Sequence, residues 1–284
     1  MKENCPSATA WRVALRRAAH QLLDEPKIFN DPLALRIVGA NSEAASELGE
    51  DWLAETVLSR VLRASLAARS QFAKDELRTA IEQGVGQFVV LGARLDTFAY
   101  RNPTLENRLH IFEVDFPATQ TWKRNRLEEA NIPIPRNLTF APINFETQTL
   151  EGGLREVGFD LNKSAFFSWL GVSMYLSLNA IEDTLRFVAS LPSGSGIVFD
   201  YMIAPSLLSP TARKVFDGLA QRVASAGEPF QTCFEPLALE TTLRDMGFTQ
   251  IRDMGPEHMD DQYFKNRTDG LRVGKLARVM HAQV

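Results

Sequence analysis

The amino-acid sequence predicts an α/β protein with a mostly parallel sheet. Short apolar runs that are typical of buried strands alternate with stretches that are typical of helices. The run Phe88–Leu91 ends at Gly92, where the chain can turn sharply because glycine tolerates left-handed backbone angles. A second run, His110–Val114, ends at Asp115, which follows Gly92 by about 20 residues. Together these observations predict a buried parallel sheet with a ligand site at the carboxyl ends of its strands.

The residues before the first strand are predicted to form a helical extension. The pattern favours a helix over Trp11–Leu23, which the segment Asp24–Pro26 interrupts. A short helix over 33–48 follows. A long helix covers roughly 52–82, because its apolar residues recur mostly at helical spacing.

Strands and helices alternate from residue 87 onward. The predicted strands lie near 87–91, 110–114, 138–142, 165–169 and 196–201. The predicted helices between them lie near 97–101, 117–130, 146–157 and 179–190. Strands that alternate with helices in this way form a parallel sheet with helices on both faces.

The C-terminal part departs from a purely parallel sheet. Residues 206–227 are predicted to form an inserted helix that caps the site. The stretch Leu237–Met254 is typical of a helix, a stop at Gly247 and a strand, and Leu271–Met280 is predicted as a final strand. Two closing strands with a short connection favour an antiparallel edge pair, which is typical of methyltransferase sheets. The predicted organisation is a single domain over 1–284, with an N-terminal extension over 1–86 and a core over 87–284.

Composition argues against several kinds of partner. The net charge is −4 and the pI is about 5.7, whereas binding to nucleic acid usually needs a basic face. No apolar run approaches the roughly 18 residues of a membrane span, so no membrane association is expected. Cys5 and Cys233 have no metal or redox spacing, and a reduced, cytoplasmic setting is expected. The four histidines have no ligand spacing, so no metal is expected. The sequence does not indicate an oligomeric state.

Gly92 and Asp115 together predict a nucleoside-cofactor site. In an open α/β sheet, ligands bind at the carboxyl ends of the strands, where both residues lie. An acid about 20 residues after a glycine turn can accept hydrogen bonds from ribose hydroxyls. Glu113 shares the strand face of Asp115, so Glu113 is the substitute if the ribose contact is misassigned.

Four groups of segments, which together span most of residues 7–180, carry a family pattern. They are TAWRVALRRAAH with FNDPLA, AARSQFAKDEL, VVLGARLDTFAYR with FEVDFP, and FFSWLGVSMYL. With these segments the sequence resembles the leucine carboxyl methyltransferase family, in particular its bacterial S-adenosylmethionine-dependent branch. The resemblance implies a Rossmann-like class I methyltransferase fold with a seven-stranded sheet, extra N-terminal helices and a cap over the substrate. It also implies S-adenosyl-L-methionine as the cofactor, and we expect the methyl acceptor to be a small molecule.

The resemblance assigns roles to single residues. Gly92 matches the glycine whose backbone faces the cofactor, and Asp115 matches the acid that holds the ribose hydroxyls. Arg69 matches an arginine that reaches the carboxylate of the methionine moiety or that of the substrate. Asn144 and Phe145 fall where the family contacts adenine, although an acid is common at the first of these positions.

Further positions bear on the substrate and on the fit of the cofactor. Tyr175 is retained and is the candidate catalytic residue that faces the substrate. Leu170 stands where the leucine carboxyl enzymes have a glutamate, which puts a protein C-terminal leucine in doubt as the substrate. Asp200 and Tyr201 end a strand at the same sheet edge and are additional candidates. Arg94 replaces the second glycine of the usual LGAGLDT, and we expect it to point outward because the other cofactor residues all remain.

The chemistry of methyl transfer favours one class of acceptor. Transfer from a sulfonium is an in-line displacement, in which the protein binds and orients the reactants. A carboxylate acceptor is already ionised at neutral pH, whereas a hydroxyl needs a general base or a lowered pKa. No His–Asp base pair is recognisable in the sequence, which favours carboxyl methylation and leaves hydroxyl methylation open.

Two other functions stay open. One is a non-catalytic cofactor-binding protein on the same fold. The other is an NAD-dependent oxidoreductase, although Arg94 and Thr97 occupy two of the three glycine positions that a nicotinamide fingerprint requires.

Overall fold

The computed structural model describes residues 8–40, 53–144 and 147–284, and a seven-stranded sheet lies at its centre. The strands are β1 (Gln87–Leu91), β2 (His110–Asp115), β3 (Leu138–Pro142), β4 (Ala165–Trp169), β5 (Gly196–Met202), β6 (Gln250–Met254) and β7 (Ala277–Gln283). Their order across the sheet is β3-β2-β1-β4-β5-β7-β6. The first five strands are parallel, and β7 lies antiparallel to both β5 and β6. The predicted sheet, with its antiparallel edge pair, is confirmed.

Helices precede the sheet, connect its strands and cover both of its faces. In the described part of the chain they are α1 (Ala8–Leu23), α2 (Ala34–Ile37), α3 (Val57–Glu82), α4 (Phe98–Arg101), α5 (Pro117–Glu129), α6 (Leu150–Glu156), α7 (Leu178–Ala189), α8 (Pro210–Ser225), α9 (Pro236–Asp245) and α10 (Pro256–Tyr263). Short 3-10 turns occur at Pro103–Leu105, Ser173–Tyr175 and Pro205–Leu207.

The central strands are almost wholly apolar because both of their faces are covered. Every residue of β1, β4 and β5 is buried. Side chains alternate between the faces of a strand, so Val89 and Leu91 pack against the core that includes α6, α7 and α9. Phe88 and Val90 pack on the opposite face, in the core that includes α3.

The last strand begins later than predicted. The prediction placed it over Leu271–Met280, whereas β7 begins at Ala277. An oxygen of Asp269 accepts a hydrogen bond from the Leu271 N–H at 3.1 Å, and an oxygen of Asp260 accepts one from the Val273 N–H at 3.0 Å. These carboxylates take backbone donors that a strand ladder would use, so the segment before Ala277 stays irregular.

Two helices also begin later than predicted because threonines cap them. Thr149 accepts a hydrogen bond from the Gly152 N–H, so the helix predicted over 146–157 begins at Leu150. Thr56 accepts one from the Ser59 N–H, so α3 begins at Val57 instead of near residue 52. The part of the predicted helix over 33–48 that follows residue 40 lies outside the described residues.

A buried ion pair fastens α1 to α3. Asp24 accepts hydrogen bonds from Nε and Nη2 of Arg63 at 2.7 and 2.9 Å, and Nδ1 of His20 lies 2.7 Å from it. Burial opposes ionisation of Asp24, but the hydrogen bonds from His20 and Arg63 outweigh it and lower its pKa to about 2. The pair therefore holds the end of α1 against the long helix. No His–Asp pair was recognisable in the sequence, and His20 with Asp24 corrects that expectation. Both side chains are buried and line neither of the cavities described below, so this pair is not placed to act as a base on an acceptor.

Candidate active site

The carboxyl end of β1 turns at Gly92, and the turn requires glycine. Its φ is +65°, and a Cβ there would lie 2.5 Å from Cγ2 of Val172. The Gly92 N–H donates to the Val114 carbonyl at 2.8 Å, which ties the turn to β2. The backbone of this turn therefore approaches its neighbours more closely than a residue with a side chain would permit.

Asp115 ends β2 beside the same turn, and its carboxylate holds the turn in place. It accepts hydrogen bonds from the N–H groups of Arg94 and Phe116. Asp115 is 7% exposed, and burial raises the pKa of its carboxyl group although both N–H groups oppose this change. A carboxylate offers about four lone-pair sites, so the two backbone bonds leave acceptor capacity for a ligand.

Glu113, the alternative candidate for the ribose contact, pairs with Lys123 and Tyr100. It is 1% exposed, its carboxylate lies 2.6 Å from Nζ of Lys123 on α5, and the Tyr100 hydroxyl donates to it at 3.0 Å. Burial raises the pKa of Glu113 to about 7, against the opposing charge of Lys123. These contacts leave Asp115 as the acid beside the turn.

Arg69 reaches the carboxyl edge from α3 and pairs with Asp200 of β5. Its Nη1 donates to one oxygen of Asp200, and the other oxygen accepts the Gly171 N–H at 2.6 Å. A Cβ on Gly171 would lie 2.9 Å from Nη2 of Arg69, so the missing side chain makes room for the guanidinium. Nε of Arg69 is buried without an acceptor among the described residues. The carboxylate that Arg69 contacts in this structure is thus that of Asp200, and the buried Nε–H is available to a ligand.

Arg94 does not point outward, so that expectation is wrong. Its φ is +43°, in the left-handed region, and its guanidinium carbon lies 5.8 Å from the centre of the Tyr175 ring. The hydrogen bond from its N–H to Asp115 fixes the backbone here, and the side chain leaves the turn towards Tyr175.

Tyr175, the candidate catalytic residue, lies in the 3-10 turn after β4. Its ring centroid lies 5.5 Å from that of Phe230. Burial raises the pKa of Tyr175, and this effect outweighs the opposing charge of Arg94. Its phenol is therefore neutral near pH 7 and can donate a hydrogen bond to a ligand but cannot serve as a base.

Two cavities open at this edge of the sheet. The small cavity, about 70 Å³, lies between α1, α3 and the turn 91–96. The large cavity, about 820 Å³, lies between α1, α3 and α8. Four side chains line both and form what we call the shared wall: Val13, Leu66, Arg69 and Arg94.

Asn144, one of the two residues predicted to contact adenine, lies apart from the described lining of these cavities. Asn144 follows β3 at the same edge, and its N–H donates to Oε1 of Gln148 at 3.0 Å. It lines neither cavity. Phe145 lies outside the described residues, so its contact with the cofactor stays a prediction.

Comparison with known proteins decides the family. A model of the leucine carboxyl methyltransferases matches residues 10–189, which is more than half of the chain. The chain belongs to the leucine carboxyl methyltransferase family. The match includes α1, the turn after β1 and the turn that carries Tyr175.

Individual relatives agree with this assignment. YktD of Bacillus subtilis (strain 168), whose name assigns it provisionally to the S-adenosyl-L-methionine-dependent methyltransferases, is 33% identical over 307 aligned positions that cover 99% of both chains. A similarly named protein of Mycobacterium avium (strain 104) is 31% identical over 202 positions, covering 69% of this chain and 65% of its own. The crystal structure of a protein of Thermobifida fusca YX, provisionally called a methyltransferase, has a TM-score of 0.59 at 16% identity, covering 98% and 94% of the two chains. That last likeness concerns the fold alone.

The protein is a methyltransferase that depends on S-adenosyl-L-methionine, as its family and its relatives establish. This assignment replaces the NAD-dependent oxidoreductase as a candidate function. Within residues 8–40, 53–144 and 147–284, no cluster of His, Cys, Asp or Glu is arranged to hold a metal ion. Over the same ranges, no helix has both the length and the apolar character needed to cross a bilayer.

The donors and acceptors of the leucine carboxyl methyltransferase site fit S-adenosylmethionine. Gly92 lines the small cavity without a side chain, and Nε of Arg69 lacks an acceptor among the described residues. Asp115 has acceptor capacity beside the turn, although it lines neither cavity. The small cavity is well below the 300–1,000 Å³ that is typical of ligand sites. Of the two arginines on the shared wall, Arg69 is held by Asp200, so we expect the side chain of Arg94 to withdraw towards the large cavity when the cofactor binds.

A buried cluster that was not predicted from the sequence positions α1 against the turn. Asp31 is 1% exposed, lies 2.9 Å from Nε of Arg17 and accepts a hydrogen bond from the Thr97 hydroxyl at 2.7 Å. Arg17 also donates to the carbonyl of Leu95. A buried carboxylate needs such partners. All three side chains lie in the segments that carry the family pattern, so the signal was present, but their pairing was not readable from the sequence.

Proposed function

We propose that the protein methylates a carboxylate oxygen of a small, largely apolar molecule. The observation that carries the proposal is the lining of the large cavity. Aliphatic and methionine side chains dominate it, and its described residues include no histidine, no cysteine and one acid, Asp200. A hydroxyl acceptor needs a base at this place, whereas a carboxylate is already ionised at neutral pH.

The two groups that come nearest to serving as a base are poorly suited to it. Asp200 is held by Arg69 and by the Gly171 N–H, and taking up a proton would weaken its ion pair with Arg69. Tyr175 has a raised pKa and stays a neutral phenol. Both are better suited to orient an acceptor than to remove its proton.

The roles on the cofactor side follow from the contacts around the turn. When bound, S-adenosylmethionine supplies a methyl group on a positively charged sulfur. We assign the ribose hydroxyls to Asp115, the close backbone contact to Gly92 and the carboxylate of the methionine moiety to Arg69. Adenine is assigned to Asn144 and Phe145 on the family resemblance.

The shared wall marks the place of transfer in this proposal. The methyl group is transferred where the two cavities meet, beside the side chains that line both, among them Arg94. The guanidinium of Arg94 attracts an acceptor carboxylate to this place, and Tyr175 beside it donates a hydrogen bond that fixes the angle of approach. Holding the two reactants in line contributes a large part of the rate in such a reaction.

A small acceptor also fits the dimensions of the site. A volume of about 820 Å³ lies within the range that is typical of small-molecule sites. Leu170 lines the small cavity at the position where the resemblance places a glutamate in enzymes that act on a protein C-terminus. An apolar side chain there removes a polar contact, which supports a small molecule over a protein as the acceptor.

The test is a screen of host metabolites with S-adenosylmethionine that carries an isotopic methyl label, with Asp115→Ala as the negative control. Mass spectrometry identifies the labelled product, and mild alkali then distinguishes the acceptor. A methyl ester releases labelled methanol, as expected for a carboxylate. A product stable to alkali contradicts the proposal and points to a hydroxyl. Cofactor binding with no labelled product from any extract favours the non-catalytic alternative.

A further inference from the structure

Three arginines meet in the large cavity, away from the turn after β1. Arg12 and Arg16 lie four residues apart on α1 and so share one face of that helix, and Arg222 extends from α8. All three line the large cavity. Burial, the charge of Arg222 and the charge of Arg12, in that order, lower the pKa of Arg16, which agrees with three guanidinium groups close together.

Among the described residues, these three arginines lack the ion-pair partners that other arginines have. Arg69 pairs with Asp200, and Arg213, on the same helix as Arg222, lies 2.8 Å from Asp217. None of the three forms an ion pair with a described residue. Like charges four residues apart on a helix destabilise it, and a third cation nearby adds to the repulsion. An anionic ligand would remove this cost.

The charge of the whole cavity also favours an anionic ligand. Its described lining contains seven arginine or lysine side chains and a single acid, whereas the chain as a whole has a net charge of −4. Positive charge is therefore concentrated in the cavity. A cleft lined by one sign of charge with apolar walls attracts ligands of the opposite sign.

The place of the cluster tells which part of a ligand it binds. Arg12, Arg16 and Arg222 line the large cavity alone and are not part of the shared wall. Aliphatic residues such as Val215 and Leu219 line the same cavity. An oxyanion held by the three arginines is therefore a different group from the one that receives the methyl group.

We propose that the acceptor is an amphipathic acid with an apolar body and an oxyanion, and that Arg12, Arg16 and Arg222 bind this oxyanion while another group of the same molecule is methylated. The location of the methylated group rests on the proposed function. Guanidinium groups bind carboxylates and phosphates alike, so the shared chemistry is that of an oxyanion on an apolar chain.

The test compares dodecanedioate with dodecanoate, two acids of equal chain length that differ in one terminal carboxylate. Binding to the full chain saturated with S-adenosylhomocysteine is measured by calorimetry. We expect the diacid to bind about tenfold more tightly, which corresponds to about 1.4 kcal/mol. The variant that combines Arg16→Gln and Arg222→Gln should lose this preference. Arg213→Gln, on the same helix but outside the cavity, should keep it.

Three results overturn the proposal: equal affinity of the two acids for the unaltered protein, no measurable binding of either, and a preference that survives in the double variant. 12-Phosphonododecanoate, measured in the same way, distinguishes a phosphate-type group from a carboxylate at the arginines. The proposed function depends on an alkali-labile methyl label and this inference depends on the preference for the diacid, so either can fail while the other stands.

Discussion

The two sides of the site differ in how their polar groups are paired. We call the Gly92 turn with Asp115 and Arg69 the turn side, and the part of the large cavity lined by Arg12, Arg16 and Arg222 the acceptor side. On the turn side, Asp115 is held by backbone N–H groups and Arg69 by Asp200, so these groups keep their positions without a ligand. On the acceptor side, Arg12, Arg16 and Arg222 stand in an apolar lining with no ion pair to a described residue. The difference indicates that the fold alone arranges the polar groups of the turn side. On the acceptor side, the proposed anionic ligand supplies the partner that the arginines lack among the described residues.

The largest expected effect is the loss of cofactor affinity in Asp115→Ala, which breaks the turn side alone. Each charge-assisted hydrogen bond contributes about 1.5–3 kcal/mol, so losing the ribose contacts should weaken binding of S-adenosylhomocysteine about a hundredfold, or about 2.7 kcal/mol. Calorimetry measures the affinity, and circular dichroism checks that the variant is folded. Asp245→Ala, at the exposed end of α9, is the matched control. Unchanged affinity in a folded variant would reject the assignment.

Asp24→Asn should destabilise α1, which contributes residues to both sides. The pKa of Asp24 is lowered from 3.8 to about 2, so its stabilisation is present above pH 3.8 and is lost as the pH falls through about 2. This shift corresponds to about 2 kcal/mol of unfolding free energy at pH 7. Urea unfolding should show that difference at pH 7, and the two proteins should converge near pH 2. Asp183→Asn, an exposed site on α7, should show no such convergence. Equal stability of Asp24→Asn and the unaltered protein at pH 7 would contradict the role of the pair.

Arg69→Lys tests a residue that belongs to both sides of the site, because Arg69 lies on the shared wall between the two cavities. Lysine keeps the charge but loses the planar set of donors that faces Asp200 and that the proposed function assigns to the cofactor carboxylate. We expect turnover to fall about tenfold, or about 1.4 kcal/mol, in an assay with labelled cofactor. Arg78→Lys, on the exposed face of the same helix, is the control. If Arg69→Lys matches the unaltered protein in both turnover and cofactor affinity, Arg69 has only a structural role.

The smallest effect on cofactor affinity is expected for Arg94→Gly. The substitution relieves a left-handed backbone and removes a cation that faces the large cavity. Cofactor affinity should change by less than about tenfold, while the KM for the acceptor should rise. Asn131→Gly relieves the same kind of backbone angle on the other side of α5 and serves as the control. A gain in cofactor affinity of more than about a hundredfold would instead mean that Arg94 obstructs the cofactor.

Much of the fold was predictable because its signals are local. β1, β3 and β4 have the predicted bounds, since each is a short run of strand-forming residues between turns. The start of β7 was not predictable, because it depends on Asp260 and Asp269, which bind backbone groups of the preceding segment. Capping by Thr56 and Thr149 likewise shifted helix starts that apolar periodicity alone placed too early.

The sequence by itself determined the alternation of strands and helices and the positions of Gly92 and Asp115 at neighbouring strand ends, because these depend on residues close together in the chain. The tertiary structure decided which charges meet. Arg69 and Asp200 are 131 residues apart, and Arg17 reaches Leu95 across 78. It also decided that Arg94 faces the large cavity and that Arg12, Arg16 and Arg222 line it together. Pairings between distant side chains depend on how helices are laid across the sheet, and no local pattern specifies that.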